Sequence, residues 1–319
     1  MINDKNTRSI SSLVDSVARP TAPDILIHMH IPKTGGTSLN SMLQHAFPSD
    51  EVADTMVIDD RLYNGLGVAS YDLCVQRLTS YSAVDLRRIR YVTGHLCFGV
   101  HRIFNRPAKY FTVIRNPVDR VISDFFFRIQ ENEAYLKDGK PLSFEEYVEA
   151  QQDVFLRDYQ VRVISGSAEL EAARCPPGMQ TPGPQVTSAH LEQAKRNIEE
   201  HFLTAAPLEN ILELALLIRK VYRWPMRRML TEYKARTRQR PRMHDVSPRT
   251  LKTIEECNAN DIALYHWASE RFALQQRLFE PDLARDQAIF TLVSNALNSA
   301  GRIVPWSLRK RLAQLLFYA

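Results

Sequence analysis

The clearest hydrophobic pattern of the chain is an alternation with period two over residues 25–31. Apolar residues occupy the odd positions of this segment, and Leu26, His28 and His30 occupy the even positions. Such an alternation of β-prone residues is typical of a strand. Pro32 ends the predicted strand, because proline cannot donate a hydrogen bond to a sheet ladder.

The strand leads into a glycine-containing loop and then into a predicted helix that extends to about His45. Gly35 and Gly36 allow positive φ angles and a close approach of another group to the backbone. Thr37 or Ser38 is expected to cap the helix. The N–H groups of the first turn and the positive end of the helix dipole therefore predict an anion site in this loop.

Lys33 adds a mobile cation to this predicted anion site. The loop is not a Walker A motif, because that motif requires G-x-x-x-x-G-K-[ST] and here the lysine precedes the glycines. Many strand–glycine–helix junctions in α/β proteins bind no ligand. The loop on its own therefore leaves both the presence and the identity of a bound anion open.

A second strand, loop and helix repeat this arrangement further along the chain. Residues 110–114 are predicted as a strand, and a helix is predicted from residue 118 to about residue 133. Asn116 is a favourable N-cap, and Pro117 suits the first helical position. Arg120, within this helix, is interpreted as a surface residue that forms ion pairs.

Short strands and helices alternate over most of the remaining chain. Further strands are predicted at 55–58, 90–93 and 202–204, and further helices at 71–81, from 143, and at 154–164, 188–201, 208–223, 247–257, 261–279, 282–299 and 305–317. This order predicts an α/β protein with a P-loop-like three-layer fold, in which helices flank a central parallel sheet. The expected organisation is a loose leader at 1–23, one domain at 24–280 and a helical C-terminal extension at 281–319.

Three chemically active side chains directly follow predicted strands. Lys33, His95 and Arg115 each come just after a strand end. In open parallel sheets, ligands bind beyond the carboxyl ends of the strands. We therefore expect these three side chains at one edge of the sheet.

The composition is that of an ordinary soluble globular protein, with 319 residues of which 45% are hydrophobic and 24% are charged. Four cysteines are scattered without C-x-x-C spacing, which argues against a zinc site and against a disulfide framework. The sequence contains no run of about 18 apolar residues and no signal-peptide pattern, so a cytoplasmic protein is expected.

Positive charge is concentrated in one segment. The whole chain has a net charge of +5, whereas residues 219–252 contain twelve basic and two acidic residues. This basic strip, residues 219–252, fits either a polyanionic partner or a solvated surface. The predicted helix at 305–317 is basic and amphipathic, which favours packing on the domain or in a homo-oligomer over peripheral contact with a membrane.

Two segments in this order, residues 31–38 and 113–123, resemble the cofactor-binding motifs of sulfotransferases that use 3′-phosphoadenosine 5′-phosphosulfate (PAPS). In that family the second segment holds the 3′-phosphate through an arginine and, eight residues later, a serine. The resemblance thus implies this role for Arg115 and Ser123. The first segment holds the 5′-phosphosulfate, which implies binding by Lys33, Thr34, Gly35, Gly36, Thr37 and Ser38.

The closer resemblance is to the branch that contains the heparan sulfate and uronyl 2-O-sulfotransferases and related bacterial proteins. Residues 93–95 are similar to the segment that carries the catalytic histidine of that branch, which implies that His95 is the general base. Two positions depart from the pattern of the heparan enzymes. Thr93 stands in place of a histidine, and His30 stands in place of an arginine.

The resemblance implies transfer of a sulfuryl group from PAPS to a hydroxyl by in-line displacement, with Lys33 stabilising the leaving phosphate and without a metal. The implied acceptor is a carbohydrate, and the basic strip is compatible with an anionic one; nucleic acid is not expected. The alternatives are a P-loop nucleotide kinase and a non-catalytic protein that binds polyanions or nucleic acid. The resemblance covers about residues 25–275 and includes Asn260 and Asp261, to which it gives no role.

Overall fold

A computed structural model describes residues 24–43, 46–55, 71–130, 136–137, 140–150, 154–167, 184–226, 229, 243–279 and 282–299. The predicted leader at 1–23 and the predicted helix at 305–317 lie outside these residues. Most of the predicted strand at 55–58 and the middle of the basic strip also lie outside them.

Strands and helices alternate along the described chain. The strands are β1 (Ile25–Met29), β2 (Val52–Asp54), β3 (Tyr91–Gly94), β4 (Ala108–Ile114), β5 (Leu136–Lys137), β6 (Lys140–Pro141) and β7 (Phe202–Pro207). The helices are α1 (Gly36–Leu43), α2 (Tyr71–Ser80), α3 (Ala83–Arg88), α4 (Pro117–Gln130), α5 (Phe144–Ala150), α6 (Tyr159–Ser165), α7 (Ser188–His201), α8 (Ile211–Tyr222), α9 (Pro248–Cys257), α10 (Ala259–Phe279) and α11 (Asp282–Ser299).

The central sheet has the strand order β2-β3-β1-β4-β7. All its neighbouring pairs are parallel, and β1 pairs with β3 on one side and with β4 on the other. A separate antiparallel hairpin joins β5 and β6. The predicted parallel sheet is therefore confirmed, and β1 is its middle strand.

Alternate residues of β1 pack into two different cores, one on each face of the sheet. Ile25, Ile27 and Met29 belong to a core with residues of α6, α7 and α10. Leu26 belongs to a second core, which includes residues of α1, α8 and α11. Helices thus cover both faces of the sheet, and the predicted three-layer α/β fold is confirmed.

Several predicted boundaries differ from the observed ones. Strand β2 ends at Asp54, before the predicted strand at 55–58, of which only Thr55 belongs to the described residues. The predicted helix at 154–164 is divided into a 3₁₀ turn, Val154–Leu156, and α6. The division occurs because Asp158 adopts a left-handed conformation with φ of 42°, which an α-helix does not accommodate.

Helix α11 is the described part of the predicted C-terminal extension, and it packs against α8. Leu283 and Phe290 contribute to the core that α8 also lines. Lys220 Nζ lies 2.6 Å from a carboxylate oxygen of Asp282 across this contact. Among the helices that the structure describes, none combines the length and the apolarity needed to cross a bilayer.

Candidate active site

The sheet order brings three predicted site residues to one edge. His95 follows β3, Lys33 lies in the loop after β1, and Arg115 follows β4. These three strands are neighbours and run in the same direction. The expectation that the three side chains share the carboxyl edge of the sheet is therefore confirmed.

The glycine loop turns abruptly from β1 into α1. Lys33 has a φ of 67° and Gly35 a φ of 83°, so two residues of the loop are left-handed. The helix begins at Gly36. The prediction that Thr37 or Ser38 caps the helix is therefore wrong, because the positive φ of Gly35 lets the chain enter the helix two or three residues earlier than either cap would.

The ring of His30 packs directly on the first residue of α1. A Cβ atom added to Gly36 would lie 2.0 Å from His30 Cδ2 and 2.4 Å from His30 Nε2. A residue with a side chain at position 36 would therefore displace the imidazole or the helix. Gly36 is needed for this close approach between the His30 ring and α1.

The remaining loop residues differ in exposure and in hydrogen bonding. Thr34 is buried, and its hydroxyl donates to the carbonyl oxygen of Ile31 at 2.8 Å, which closes the loop. Thr37 is exposed and Ser38 is partly buried. The Ser38 N–H donates to the carbonyl oxygen of Gly35 at 3.1 Å.

The side chain of Lys33 lies against an aromatic ring of α4. Its Nζ atom is 3.5 Å from the centroid of the Phe127 ring. A cation above an aromatic face is attracted by the ring quadrupole. Phe127 therefore holds the ammonium group at the edge of the sheet.

His95 lies in a tight turn that follows β3. The carbonyl oxygen of Gly94 accepts a hydrogen bond from Leu96 N–H at 2.8 Å and another from His30 N–H at 2.9 Å. This shared acceptor ties the end of β1 to the turn that carries His95. His95 is partly exposed, whereas its Nδ1 is buried and has no hydrogen-bond partner among the described residues.

Three imidazoles form a row at this edge, which we call the histidine row: His28, His30 and His95. The ring centroids of His28 and His30 are 5.4 Å apart, and those of His30 and His95 are 5.0 Å apart. His28 Nδ1 lies 3.1 Å from the Thr93 hydroxyl oxygen, and the His28 ring stacks on Phe111. His28 is therefore a buried structural histidine.

Burial lowers the pKa of every histidine in the row. The pKa of His30 falls to about 4, first through burial and then through the charge of Lys33. Burial also holds the pKa of His95 well below its usual range, and His30, Arg128 and Lys33 lower it further. The pKa of His28 is likewise well below its usual range because of burial and the two other histidines. The row is thus expected to be neutral near pH 7.

Arg115 connects two loops of the site. The residue is buried, and its Nη1 donates a hydrogen bond to the carbonyl oxygen of Lys33 at 2.9 Å. Its own backbone exchanges two hydrogen bonds of 2.9 Å with the side-chain amide of Gln160. Both the main chain and the guanidinium of Arg115 are therefore fixed in position.

Ser123 is buried in α4. Asn116 caps this helix as predicted, because its side-chain oxygen accepts hydrogen bonds from the N–H groups of Val118 at 3.0 Å and Asp119 at 3.3 Å. The helix begins at Pro117. The second predicted motif therefore forms the end of β4, the loop and the first two turns of α4.

Two further arginines of α4 are buried. Arg128 Nε lies 3.1 Å from Asp124 Oδ2, and its guanidinium lies over Phe155. Arg120 is completely buried and donates to the carbonyl oxygen of Phe155, so its interpretation as a surface residue is wrong. The reason is that Arg120 faces the packed side of α4 near Tyr159 rather than solvent.

Sequence reasoning did not identify several of these site residues. Phe127 and Arg128 lie in an aromatic run that gives no sign of contact with Lys33 or His95. Gln160 lies in a helix and has no motif around it. Asp261, whose carboxylate accepts from the N–H groups of Gln160 and Val161, was noted only as part of the family resemblance, which gave it no role.

Several basic residues in the described part of the strip pair with acidic residues. Lys220 pairs with Asp282, and Arg249 Nη2 lies 3.1 Å from Glu149 Oε1. Such pairs favour the interpretation of this part of the strip as a structural and solvated surface. Among the residues that the structure describes, no group of three or more His, Cys, Asp or Glu side chains is arranged to hold a metal ion.

Comparison with known proteins gave one family match. A model of the sulfotransferase family matches residues 22–268 of the chain. A crystal structure of a sulfotransferase from Alicyclobacillus acidocaldarius is similar, with 13% identity, coverage of 77% of this chain and 94% of the other, and a TM-score of 0.40. No curated protein sequence matches the chain.

Proposed function

Because the chain belongs to the sulfotransferase family, we propose that it transfers a sulfuryl group from PAPS to a hydroxyl group of an acceptor. One observation carries the proposal. Lys33, His95 and Arg115 follow three adjacent parallel strands and meet at the edge where such sheets bind ligands.

The residues fit a donor that carries two separated phosphate groups. The first subsite combines the N-terminus of α1 with the ammonium group of Lys33. The second combines Arg115, whose planar guanidinium suits a phosphate, with Ser123. A nucleoside 5′-phosphate without a 3′-phosphate would leave the second subsite without a ligand.

In this proposal Lys33 acts on the leaving group. PAPS supplies the sulfuryl group, and negative charge grows on the phosphate oxygen from which that group departs. The ammonium of Lys33 stabilises this charge, and backbone N–H groups of Gly35 and Gly36 hold the 5′-phosphate. The hydroxyl groups of Thr37 and Ser38 complete this subsite, and Thr34 shapes it from within the loop.

His95 acts as the general base in this proposal. Its lowered pKa keeps the imidazole neutral, so it can accept a proton from the acceptor hydroxyl. Because Nδ1 is buried, Nε2 takes the proton. His30, whose ring lies 5.0 Å from that of His95, is itself kept neutral near pH 7 by burial and by the charge of Lys33.

The proposed acceptor is a carbohydrate. This part of the proposal comes from the resemblance to the branch of 2-O-sulfotransferases. Thr93 and His30 differ from that branch, and both lie in the histidine row or in contact with it. The acceptor is therefore expected to differ in detail from heparan sulfate.

A thermal-shift assay with 3′,5′-ADP, ADP and ATP tests the donor. A ligand that binds only the native state raises its stability. We expect a clear increase in melting temperature with 3′,5′-ADP that Lys33→Ala and Arg115→Ala reduce. Equal increases with ATP would contradict the proposal. Transfer of ³⁵S from labelled PAPS to a panel of saccharides would then identify the acceptor.

A further inference from the structure

The backbone of Arg115 leaves the sheet at a buried position. Strand β4 ends at Ile114, so Arg115 N–H and C=O are outside the ladder that pairs β4 with β7. Buried backbone polar groups need a hydrogen-bond partner. The carboxamide of Gln160 supplies both partners: its oxygen accepts from Arg115 N–H, and its nitrogen donates to Arg115 C=O, each at 2.9 Å.

The position of Gln160 is itself fixed from another part of the chain. One carboxylate, that of Asp261, accepts hydrogen bonds from Gln160 N–H at 3.0 Å and from Val161 N–H at 2.7 Å. Asp261 N–H donates in turn to Asp158 at 2.8 Å. These bonds fasten the start of α6 to the start of α10.

Arg115 links this hydrogen-bonded network to the glycine loop. Its guanidinium donates to the carbonyl oxygen of Lys33, which has a left-handed backbone. A continuous series of hydrogen bonds thus runs from Asp261 through Gln160 and Arg115 to Lys33. Small displacements of groups that bind a ligand have large effects on recognition.

We infer that Gln160 is a positioning residue for the 3′-phosphate subsite, because its amide takes the place of a neighbouring strand at Arg115. The inference rests on the proposed use of PAPS. Gln160 orients Arg115, and Arg115 contacts the phosphate. Loss of Gln160 is therefore expected to weaken recognition of the 3′-phosphate, which Arg115 contacts directly, more than recognition of the 5′-phosphate, to which Arg115 is linked only through the Lys33 carbonyl.

The chain offers a matched control in Gln275. This second buried glutamine also holds a strand: its oxygen accepts from the Thr204 hydroxyl at 2.7 Å, and its nitrogen donates to Leu203 C=O at 3.1 Å. Both contacts lie in the first half of β7, away from the carboxyl edge of the sheet. Gln160→Leu and Gln275→Leu thus remove the same chemistry at two different places.

The test measures dissociation constants of 3′,5′-ADP and 5′-AMP for the full chain by titration calorimetry. The ratio of the two constants reports the contribution of the 3′-phosphate. We expect Gln160→Leu to lower this preference about tenfold or more, and Gln275→Leu to preserve it. In an Arg115→Ala background, Gln160→Leu is expected to cause no further loss.

Gln160→Asn is the second variant, because it keeps a neutral amide but shortens the side chain by one methylene group, so that both 2.9 Å bonds with Arg115 cannot form together. It is expected to lower the preference less than Gln160→Leu, since one of the two bonds can still form, and it tests the inference if Gln160→Leu does not fold. An unchanged ratio in the folded Gln160 variants, or an equal loss in Gln275→Leu, would overturn the inference alone. A wild-type protein that binds both nucleotides equally would overturn the proposed function together with it.

Discussion

The guanidinium of Arg115 donates a hydrogen bond to the backbone carbonyl oxygen of Lys33, with 2.9 Å between Nη1 and the oxygen. The two residues are 82 positions apart and follow neighbouring strands. Lys33 has a left-handed backbone, which costs about 1–2 kcal/mol for a residue other than glycine. Arg115 thus stabilises the conformation of the residue that is proposed to act on the leaving group.

Arg115→Lys is expected to impair both donor binding and turnover. Lysine keeps the charge but lacks the planar fork that can contact a phosphate and Lys33 together. We expect the KM for PAPS to rise about tenfold or more, because a charged hydrogen bond contributes about 1.5–3 kcal/mol. Steady-state kinetics measure this effect, with Arg102→Lys on an exposed arginine as the control. Wild-type kinetics in Arg115→Lys would contradict the proposed subsite.

His95→Gln is expected to lower kcat by about 10²- to 10⁴-fold, the usual contribution of a general base. The affinity for 3′,5′-ADP should remain unchanged. In the wild type the base must be neutral, so kcat/KM should fall with decreasing pH through the lowered pKa of His95. The midpoint is therefore expected below 6.5. A midpoint at or above 6.5, or an active His95→Gln protein, would exclude His95 as the base.

His30 is expected to make the fold sensitive to acid. Its pKa is about 4 in the folded chain and near 6.5 when unfolded, so the unfolded state binds more protons between these values. Stability is thus fully present above about pH 6.5 and decreases as the pH falls, by about 3 kcal/mol at pH 4. Urea denaturation of wild type and His30→Asn from pH 7.5 to 4 measures the difference. Parallel curves would contradict this role.

Gly36→Ala is expected to destabilise the protein by about 1–3 kcal/mol, the usual cost of overpacking. The added methyl group would lie 2.0 Å from a ring atom of His30. His30→Ala removes that ring, so the same methyl group should cost less in its background. A double-mutant cycle by urea denaturation gives the coupling energy. If the effects of the two substitutions on the free energy of unfolding simply add, the contact with the His30 ring is not the source of the destabilisation.

Ser123→Ala is expected to weaken binding of 3′,5′-ADP about tenfold or more, because the proposed hydrogen bond to the 3′-phosphate would be lost. Binding of 5′-AMP should be unaffected. Ser269→Ala provides a control, since this helical serine donates to the carbonyl oxygen of Tyr265 at 2.6 Å in α10. Equal weakening of both nucleotides by Ser123→Ala would place the serine outside the 3′-phosphate subsite.

Local patterns in the sequence determined the two strand–loop–helix units. The alternation before Pro32 predicted β1, and the Asn116–Pro117 cap predicted the start of α4. These predictions succeeded because strand alternation and helix capping depend on residues close in sequence. Because ligands bind at the carboxyl edge of a parallel sheet, the three strand ends then predicted that Lys33, His95 and Arg115 lie near one another.

Only the tertiary structure decided which groups act on one another within the site. The sheet order places β1 between β3 and β4, and this order brings the rings of His30 and His95 within 5.0 Å of each other. Gln160 and Arg115 meet across 45 positions, and the hydrogen bonds between them have no local signature. The sequence by itself determined which reactive side chains follow the ends of the strands. Long-range packing decided the partners of these side chains and the pKa shifts of the histidines. The reason is that burial and contact depend on segments far apart in the sequence, which local patterns do not reveal.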